Sequence, residues 1–387
     1  MNDARNDAEV PAPSRLPQAV MVAPFLADRE RASLLCACRA TRRDCSARAE
    51  RDASLLDLGL SGRVDPARVL LLGDGDLSYA VALAACDDRR EGRVELTATT
   101  FEPDEQLFAR YARARENARL LALRGARVMH GVDATARETW RGGEWDRIVW
   151  NFPHHPDRRK VQKHRQLLRD FFVAAAPVVA HGAAPGEVWV TLMAGQGGTA
   201  SERPGTARRW EDSWQIVAQA AAADLVLVRV HAMGDAELAS LQGLGYGAVG
   251  FRSQDRAFRT AGALTHVFAR ARSGRQAIHS VPWPCDLAFW TDGRGDAPPS
   301  PGEVHEAASE FDEGAWIARV KDTLASAGVS AEFSLLDEYT DARETSPHRG
   351  RHARTYRITV TAVGDHALSR ERAIRLVEED ARRVPVI

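Results

Sequence analysis

The stretch VLLLGDGDLSYAVALA, residues 69–84, is a run of apolar residues that gives way abruptly to small and acidic ones. A second stretch of this kind, IVWNFPHH, occupies residues 148–155. Short apolar runs bounded by turn residues are typical of strands buried on both faces of a parallel sheet. Because ligands bind beyond the carboxyl ends of such strands, we expect both polar segments to lie at one functional edge.

The text around these two stretches divides the chain into segments. Residues 67–271 alternate apolar strand patterns with amphipathic helix patterns, which predicts a mostly parallel sheet covered on both faces. Its last two strands, LVLVRVHAM and LTHVFARAR, lack a clear crossover helix and predict an antiparallel pair at that edge. A linker at 272–282 precedes a unit at 283–387 that reads strand, helix, strand, strand, helix, the start of a ferredoxin-like fold. Residues 1–20 predict a disordered tail and residues 21–66 a helical extension.

The overall composition limits the classes of protein to which the chain can belong. The chain has 387 residues, 44% of them hydrophobic, and a net charge of -1, so any nucleic-acid binding must come from local patches. No membrane span or signal peptide is visible, which predicts a cytoplasmic protein. The five cysteines predict reduced thiols; Cys36, Cys38 and Cys45 lack paired metal-ligand spacing, so no metal is expected. The pattern carries no signal for an oligomeric state.

The first loop, Gly73-Asp74-Gly75-Asp76-Leu77-Ser78, follows the first strand. Its glycines let the backbone pass close to a ligand. The two acids disfavour a dinucleotide pyrophosphate and suit the cationic sulfonium and ammonium of S-adenosylmethionine. We therefore expect Gly73, Asp74, Gly75, Asp76 and Ser78 to bind that cofactor.

Two further acids follow the next strands. Glu102 ends the second strand, where a carboxylate can accept both ribose hydroxyls of an adenosyl group; the alternative is an acid near a helix N-terminus. Asp133 follows the third strand and either contacts the adenine or caps a turn.

The fourth strand ends in Asn151-Phe152-Pro153-His154, which resembles the [Asn/Asp]-Pro-Pro-aromatic loop of nitrogen methyltransferases. The resemblance implies that Asn151 holds a planar N–H of the substrate, while Pro153 stiffens the loop and Phe152 stacks on a base. His154 is the nearest candidate base for a target that must lose a proton. The alternative is a tight structural loop after a buried strand.

A basic segment, HHPDRRKVQKHRQ, comes directly after this loop. Beside a base pocket, such a segment would grip phosphates; without one it would be a solvated helix face. Its candidate phosphate-binding residues are Arg158, Arg159, Lys160, Lys163 and Arg165.

These motifs, with TTFEPDEQLFARY, GEVWVTLMAG, SWQI and LGYGAVGF, occur in the order seen in the Rossmann-like ribosomal-RNA uridine-N3 methyltransferase-like family, which residues 68–270 resemble. The resemblance implies a class I, S-adenosylmethionine-dependent enzyme that methylates a base nitrogen of tRNA or rRNA. His164 stands where the family pattern has Asn, and Met193 where it has Lys. Both departures bear on the substrate more than on the cofactor.

Residues 278–387 resemble the ferredoxin-fold anticodon-binding domain of phenylalanyl-tRNA synthetases, through PWPCDLAFWT, LLDEYT, RTYRITVTAV and LSRERAIRLVEEDAR. The resemblance implies a surface that sits against a tRNA stem, although the usual last strand is truncated. The segment SPHRGRHARTYR offers Arg349, Arg351 and Arg354 as phosphate contacts, or else is a solvated basic hairpin loop.

Two other hypotheses remain open at the level of sequence. The chain could be a catalytically silent tRNA-binding protein, with His164 and Met193 as signs of decay. It could also be a methyltransferase for a small molecule or peptide, with the second unit serving structure or dimerisation. Cofactor binding tests the first alternative, and salt-dependent RNA binding tests the second.

Overall fold

The computed structural model describes most of the chain beyond residue 57. The described residues are 58–60, 66–85, 94–140, 142–155, 157, 160–181, 185–250, 253–257, 260–291, 311–346 and 348–381. The predicted tail, nearly all of the predicted helical extension, and Cys36, Cys38 and Cys45 lie outside these ranges.

The first domain alternates strands and helices as the sequence predicts. Its strands are β1 (Ala67–Leu72), β2 (Val94–Thr99), β3 (Arg127–Met129), β4 (Arg147–Asn151), β5 (Glu187–Leu192), β6 (Leu225–Ala232), β7 (Val249–Gly250), β8 (Ser253–Ala257) and β9 (Leu264–Arg270). Its helices are α1 (Ser78–Ala84), α2 (Asp104–Arg110), α3 (Ala114–Leu123), α4 (Val161–Ala175), α5 (Ile216–Ala221) and α6 (Asp235–Gly243).

Seven of these strands form one sheet in the order β3-β2-β1-β4-β5-β9-β6. The pairs from β3 through β5 are parallel, and β9 is antiparallel to both β5 and β6. The sheet is therefore mostly parallel and Rossmann-like, and the predicted antiparallel pair at its far edge is confirmed. The loops after β1, β2, β3, β4 and β5 all open at the same edge.

Two apolar cores cover the two faces of this sheet. In β1, Val69 and Leu71 belong to one core, while Leu70 and Leu72 belong to the other. Successive residues of a strand point to opposite faces, so a continuous apolar run satisfies both cores at once. This is why the strand sequences do not alternate with polar residues.

The second domain contains β10 (Trp283–Trp290), α7 (Glu313–Ser326), β11 (Val329–Thr340), β12 (His352–Ala362) and α8 (Arg370–Arg375). Its antiparallel sheet has the order β10-β12-β11, the order that the first three strands of a ferredoxin-like unit adopt. The two helices share one core with the sheet, centred on residues such as Trp316 and Tyr356. The final strand that the sequence leaves truncated falls beyond the described residues.

The predicted linker packs against both domains. The backbone N–H of Arg272 donates to the carbonyl of Asp365 at 2.8 Å, and that of Ala277 to Gly364 at 2.9 Å. On the other side, Ile278 N–H donates to the carbonyl of Leu227, in β6, at 2.9 Å. The segment thus holds the two domains together through backbone hydrogen bonds.

Candidate active site

The glycine loop after β1 is folded tightly against its neighbouring strands. Gly73 has a φ of +60°, and a Cβ there would lie 3.2 Å from Nε1 of Trp150. The N–H of Asp74 donates to the carbonyl of Thr99 at 2.9 Å, which fixes the loop against the end of β2. Leu77 also adopts a left-handed φ of +66°, and α1 begins directly after it. The loop therefore presents its two acids from a defined backbone.

Both acids of this loop are held where a negative charge is costly. Oδ2 of Asp74 accepts from the N–H of Ala80 at 2.7 Å, yet burial and the neighbouring Asp76 raise the pKa of Asp74 to about 7. Asp76 is only 5% exposed, and its burial raises its pKa as well. Its Oδ1 accepts from the N–H of Ser78 at 3.0 Å, whereas Oδ2 has no hydrogen-bond partner among the described residues. Such a pair suits a cationic ligand, because a nearby positive charge stabilises both carboxylates.

Two tyrosines from distant segments close over this acidic loop. The hydroxyl of Tyr111 lies 4.0 Å from the position of a Cβ at Gly75, and burial together with Glu102 raises the pKa of Tyr111 to about 12. Tyr246 follows α6, and burial and the charges of the two acids raise its pKa. Sequence reasoning assigned neither residue a role, although LGYGAVGF, which contains Tyr246, was among the matching motifs.

The side chain of Ser78, a predicted cofactor contact, forms hydrogen bonds with a distant backbone segment. Its side chain is buried, with 1% exposure. Its hydroxyl donates to the carbonyl of Gly247 at 3.1 Å and accepts from the N–H of the same residue at 3.0 Å. The hydroxyl thus anchors the Tyr246 segment to the start of α1, and cofactor binding by Ser78 stays a prediction.

Glu102 and Asp133 lie at the same edge of the sheet. Glu102 forms an ion pair with Arg110, and its side chain is 11% exposed. Oδ1 of Asp133 accepts from both the N–H and the hydroxyl of Thr135, each at 2.8 Å. The turn-capping alternative for Asp133 is therefore present in the structure, and the ribose and adenine contacts stay predictions.

The Asn151 loop stands beside the glycine loop, at the end of β4. Oδ1 of Asn151 accepts from the hydroxyl of Thr191 at 2.7 Å, and that hydroxyl lies 3.0 Å from the hydroxyl of Thr265. Phe152 adopts a left-handed φ of +53°, and its N–H donates to the Thr191 carbonyl at 2.8 Å. One lone pair of the Asn151 oxygen is thus engaged inside the sheet, which leaves its second lone pair and its amide N–H groups for a ligand.

After this loop, Pro153 is buried and His154 is exposed. The ring of His154 lies 5.3 Å from that of His164, which stacks on Trp214 at 4.2 Å. His164 is 3% exposed, and burial lowers its pKa. The residue that departs from the family pattern is thus a neutral, buried ring beside the candidate base. Met193, the other departure, follows β5 and is 36% exposed.

The basic segment divides between exposed and engaged side chains. Lys160 and Lys163 are exposed beside the Asn151 loop. Arg165 instead donates to the carbonyl of Ser213, with its Nε at 3.0 Å, and to the carbonyl of Glu211 at 2.6 Å. Its guanidinium is thus held by backbone carbonyls, and the phosphate contact assigned to it stays a prediction. Arg158 and Arg159 lie outside the described residues.

In the second domain, the predicted phosphate contacts also separate by burial. Arg349 is exposed. Arg351 is only 4% exposed, with its guanidinium over the ring of Trp290 at 4.6 Å, so it is not placed to meet a phosphate. Arg354 is half-buried and forms ion pairs with Glu313 at 3.0 Å and Glu338 at 2.7 Å. Arg351 and Arg354 thus make contacts within the domain, and of the three only Arg349 is exposed.

The described residues lack two further features. They contain no cluster of three or more His, Cys, Asp or Glu side chains with metal-binding geometry. They also contain no helix long and apolar enough to cross a bilayer.

Residues 70–238 match the family model described as BMT5-like, rRNA (uridine-N3-)-methyltransferase BTM5-like. This segment is similar to that family. It includes the glycine loop, both following acids and the Asn151 loop, and it ends just before Tyr246. The recognition made from the motifs is therefore confirmed for this part of the chain.

The chain is also similar to curated proteins. The chain is 40% identical over 209 residues to the human ferredoxin-fold anticodon-binding domain-containing protein 1, covering 53% of this chain and 31% of the relative. It is 32% identical over 133 residues to heavy metal-associated isoprenylated plant protein 41 of Arabidopsis thaliana, covering 32% of this chain and 25% of the relative. The chain thus spans about a third or less of the length of these relatives. Among solved structures, TrmN from Thermus thermophilus is 18% identical, with a TM-score of 0.32 over 56% of this chain and 47% of its own.

Proposed function

We propose that this chain is an S-adenosylmethionine-dependent RNA methyltransferase whose target is a base nitrogen of the uridine-N3 type, in tRNA or rRNA. The observation that carries the proposal is a pair of acids on the loop after β1, half-buried Asp74 and buried Asp76, with one carboxylate oxygen of Asp76 lacking a hydrogen-bond partner among the described residues. The match of residues 70–238 to a methyltransferase family supports it. We place this activity in the cytoplasm.

The residues at the glycine loop fit the cofactor. When bound, S-adenosylmethionine would supply an electrophilic methyl group on a positively charged sulfur. Oδ2 of Asp76 is the group in this site that lacks a donor, so an ammonium would satisfy it. Glu102, at the end of β2, would accept from ribose hydroxyls, and Gly73 and Gly75 would let the backbone approach the ligand.

The engaged oxygen of Asn151 favours a particular kind of base. A uracil N3 lies between two carbonyl oxygens, which accept hydrogen bonds, whereas an exocyclic amino group donates them. Thr191 already occupies one lone pair of Oδ1 of Asn151, so the two amide N–H donors are the larger part of the hydrogen-bonding capacity that the side chain retains for the substrate. Donors match the imide edge of uracil better than the amino group of adenine or cytosine.

His154 would accept the N3 proton, because the imidazole is exposed at the mouth of the Asn151 loop and imidazole titrates near neutral pH. The remaining catalytic contribution is placement, since methyl transfer requires an in-line approach of the two reacting atoms. In the second domain, Arg349 would supply a phosphate contact.

Calorimetric titration with S-adenosylmethionine tests the cofactor site. We expect wild-type protein to bind and both Asp76→Ala and Glu102→Ala to lose binding, while Asp235→Ala, an exposed acid at the start of α6, retains it. Binding that survives in both site variants would contradict the assignment of these residues. An absence of binding in the wild type would favour a catalytically silent RNA-binding protein.

A second experiment tests the reaction. Total tRNA and rRNA are incubated with radiolabelled cofactor, digested to nucleosides and analysed by mass spectrometry. We expect 3-methyluridine, and we expect His154→Ala to change the pH–rate profile on its acidic side. A methylated amino group in the digest would contradict the donor argument from Asn151, and an unchanged profile would exclude His154 as the base.

A further inference from the structure

The segment after β5, residues 193–215, is a long loop with an unusually constrained base. A Cβ at Gly195 would collide with the carbonyl oxygen of Thr206, and a Cβ at Gly198 would collide with the hydroxyl of Ser213. Both glycines also have a positive φ, +80° and +73° respectively. The loop therefore closes on itself in a way that only glycine permits at these positions.

A buried carboxylate organises the same base. Glu202 is 8% exposed and accepts from the N–H of Gly195 at 2.7 Å and from that of Gly197 at 3.0 Å. Two backbone N–H groups thus satisfy both of its oxygens, and its charge is used inside the loop. Glu202 therefore directs its negative charge into the loop and away from solvent.

Arg165 connects this loop to α4 and hence to the candidate active site. Its guanidinium donates to the carbonyls of Glu211 and Ser213, on the returning side of the loop. The next residue, Trp214, stacks on His164, also in α4. The loop is consequently attached to the start of α4, where His164 lies beside His154 of the Asn151 loop.

The tip of this loop, residues 203–209, is exposed throughout and carries Arg203, Arg208 and Arg209. Two carboxylates follow in the returning turn, Glu211 and Asp212. Glu211 lies 3.6 Å from Arg209, but both side chains are more than 60% exposed, so solvent screens this pair. The tip therefore keeps its positive charge outward.

These arginines share an edge of the molecule with Lys160 and Lys163. The two lysines lie at the start of α4, and Arg165 joins that same turn of helix to the base of the loop. None of the three arginines was identified from the sequence as a functional residue. Together with the lysines they are five exposed cations, carried by the start of α4 and by the loop that Arg165 ties to it.

We infer that the loop tip, with Lys160 and Lys163, is the surface that grips the RNA backbone next to the target base. The inference rests on the proposed function and names where its substrate is held. A constrained loop base lowers the entropy cost of ordering the arginines on binding. Arginine forks match phosphate oxygens bidentately, so the tip would contact successive phosphates without reading sequence.

The experiment compares full-length wild type with a triple variant, Arg203→Gln, Arg208→Gln and Arg209→Gln. The matched control replaces three exposed arginines on α3 and β3, through Arg115→Gln, Arg119→Gln and Arg127→Gln, and removes the same charge. Binding of fluorescently labelled total tRNA is measured by anisotropy over a range of salt concentrations. S-adenosylmethionine binding is measured separately by calorimetry on all three proteins.

We expect the loop variant to lower the slope of log affinity against log salt by about 2 to 3, since each lost phosphate contact on RNA removes about 0.7 to 0.9. The control should keep the wild-type slope, and all three proteins should bind the cofactor equally. Equal slopes in the loop variant and the wild type, or an equal loss in the control, would overturn the inference. Those outcomes leave cofactor binding and methyl transfer intact. Failure of the proposed function is a different result, because it would appear as an absence of cofactor binding in the wild type.

Discussion

The charge on Asp74 should destabilise the cofactor-free protein at alkaline pH. The substitution Asp74→Asn removes this charge and should therefore restore the lost stability. The pKa of this carboxyl is raised from 3.8 to about 7, so the folded protein holds its proton more tightly than the unfolded chain. A carboxyl with a raised pKa is most favourable at low pH, and its contribution to stability falls as pH climbs from about 4 to about 7.

The shift sets the size of the effect. The difference between the folded and unfolded pKa of Asp74 lowers the free energy of unfolding by about 4 kcal/mol once the carboxyl is ionised. Solvent screening reduces this figure to about 2 kcal/mol, because the side chain is half-buried. Asparagine keeps an oxygen that can accept from the N–H of Ala80, so the helix start is retained while the charge is removed. The variant should therefore be about 2 kcal/mol more stable than wild type at pH 8 and equal to it at pH 4.

Urea denaturation at both pH values measures this difference. The matched control is Asp235→Asn, at an exposed acid, which should change stability equally at the two pH values. At pH 8 the same Asp74→Asn protein should bind S-adenosylmethionine more weakly, because it has lost one of two charges that face the cation. A variant that is no more stable than wild type at pH 8, or that gains equally at pH 4, would refute the argument.

Two further predictions concern packing and buried charge. Gly197→Ala should cost about 1–3 kcal/mol in thermal denaturation, because its Cβ would lie 2.6 Å from Nε2 of the buried His266, whereas Gly205→Ala has nothing within 4 Å and should be nearly neutral. Glu187→Gln should cost about 3–5 kcal/mol in urea, because it leaves three arginines, including Arg147 at 3.3 Å, without their buried carboxylate. A loss below about 1 kcal/mol for Glu187→Gln would show that solvent compensates those arginines.

Much of the fold could be predicted from the sequence, because local patterns of apolar and polar residues determine the strands and loops. The apolar runs at β1 and β4 end where the strands end, and the small and polar residues that follow form the loops at the functional edge. The antiparallel pairing of β9 with β6 was also predicted, because the sequence shows no clear crossover helix between them, although the structure has the short helix α6 there. The second domain followed from its order of strands and helices.

The assignment of individual charged residues was less accessible. Arg165 and Arg351 read as members of basic stretches, yet one is bound to backbone carbonyls and the other is buried over Trp290. Neighbouring letters gave no signal of this, because the partners of Arg165 lie 46 and 48 residues away in the chain. Charge runs indicate where cations are, and only packing decides which of them reach solvent.

The sequence by itself determined which chemical groups follow each strand. A glycine loop with two acids follows β1, a carboxylate follows β2, and an Asn-aromatic-proline loop follows β4. Only the tertiary structure decided how these become a site. It buried Asp76 with an unpartnered oxygen, engaged the oxygen of Asn151 with Thr191, and anchored the Tyr246 segment through Ser78, 169 residues from its partner Gly247. The physical reason is that burial and hydrogen-bond satisfaction depend on segments that meet only when the sheet has formed, whereas strand and turn patterns depend on neighbours along the chain.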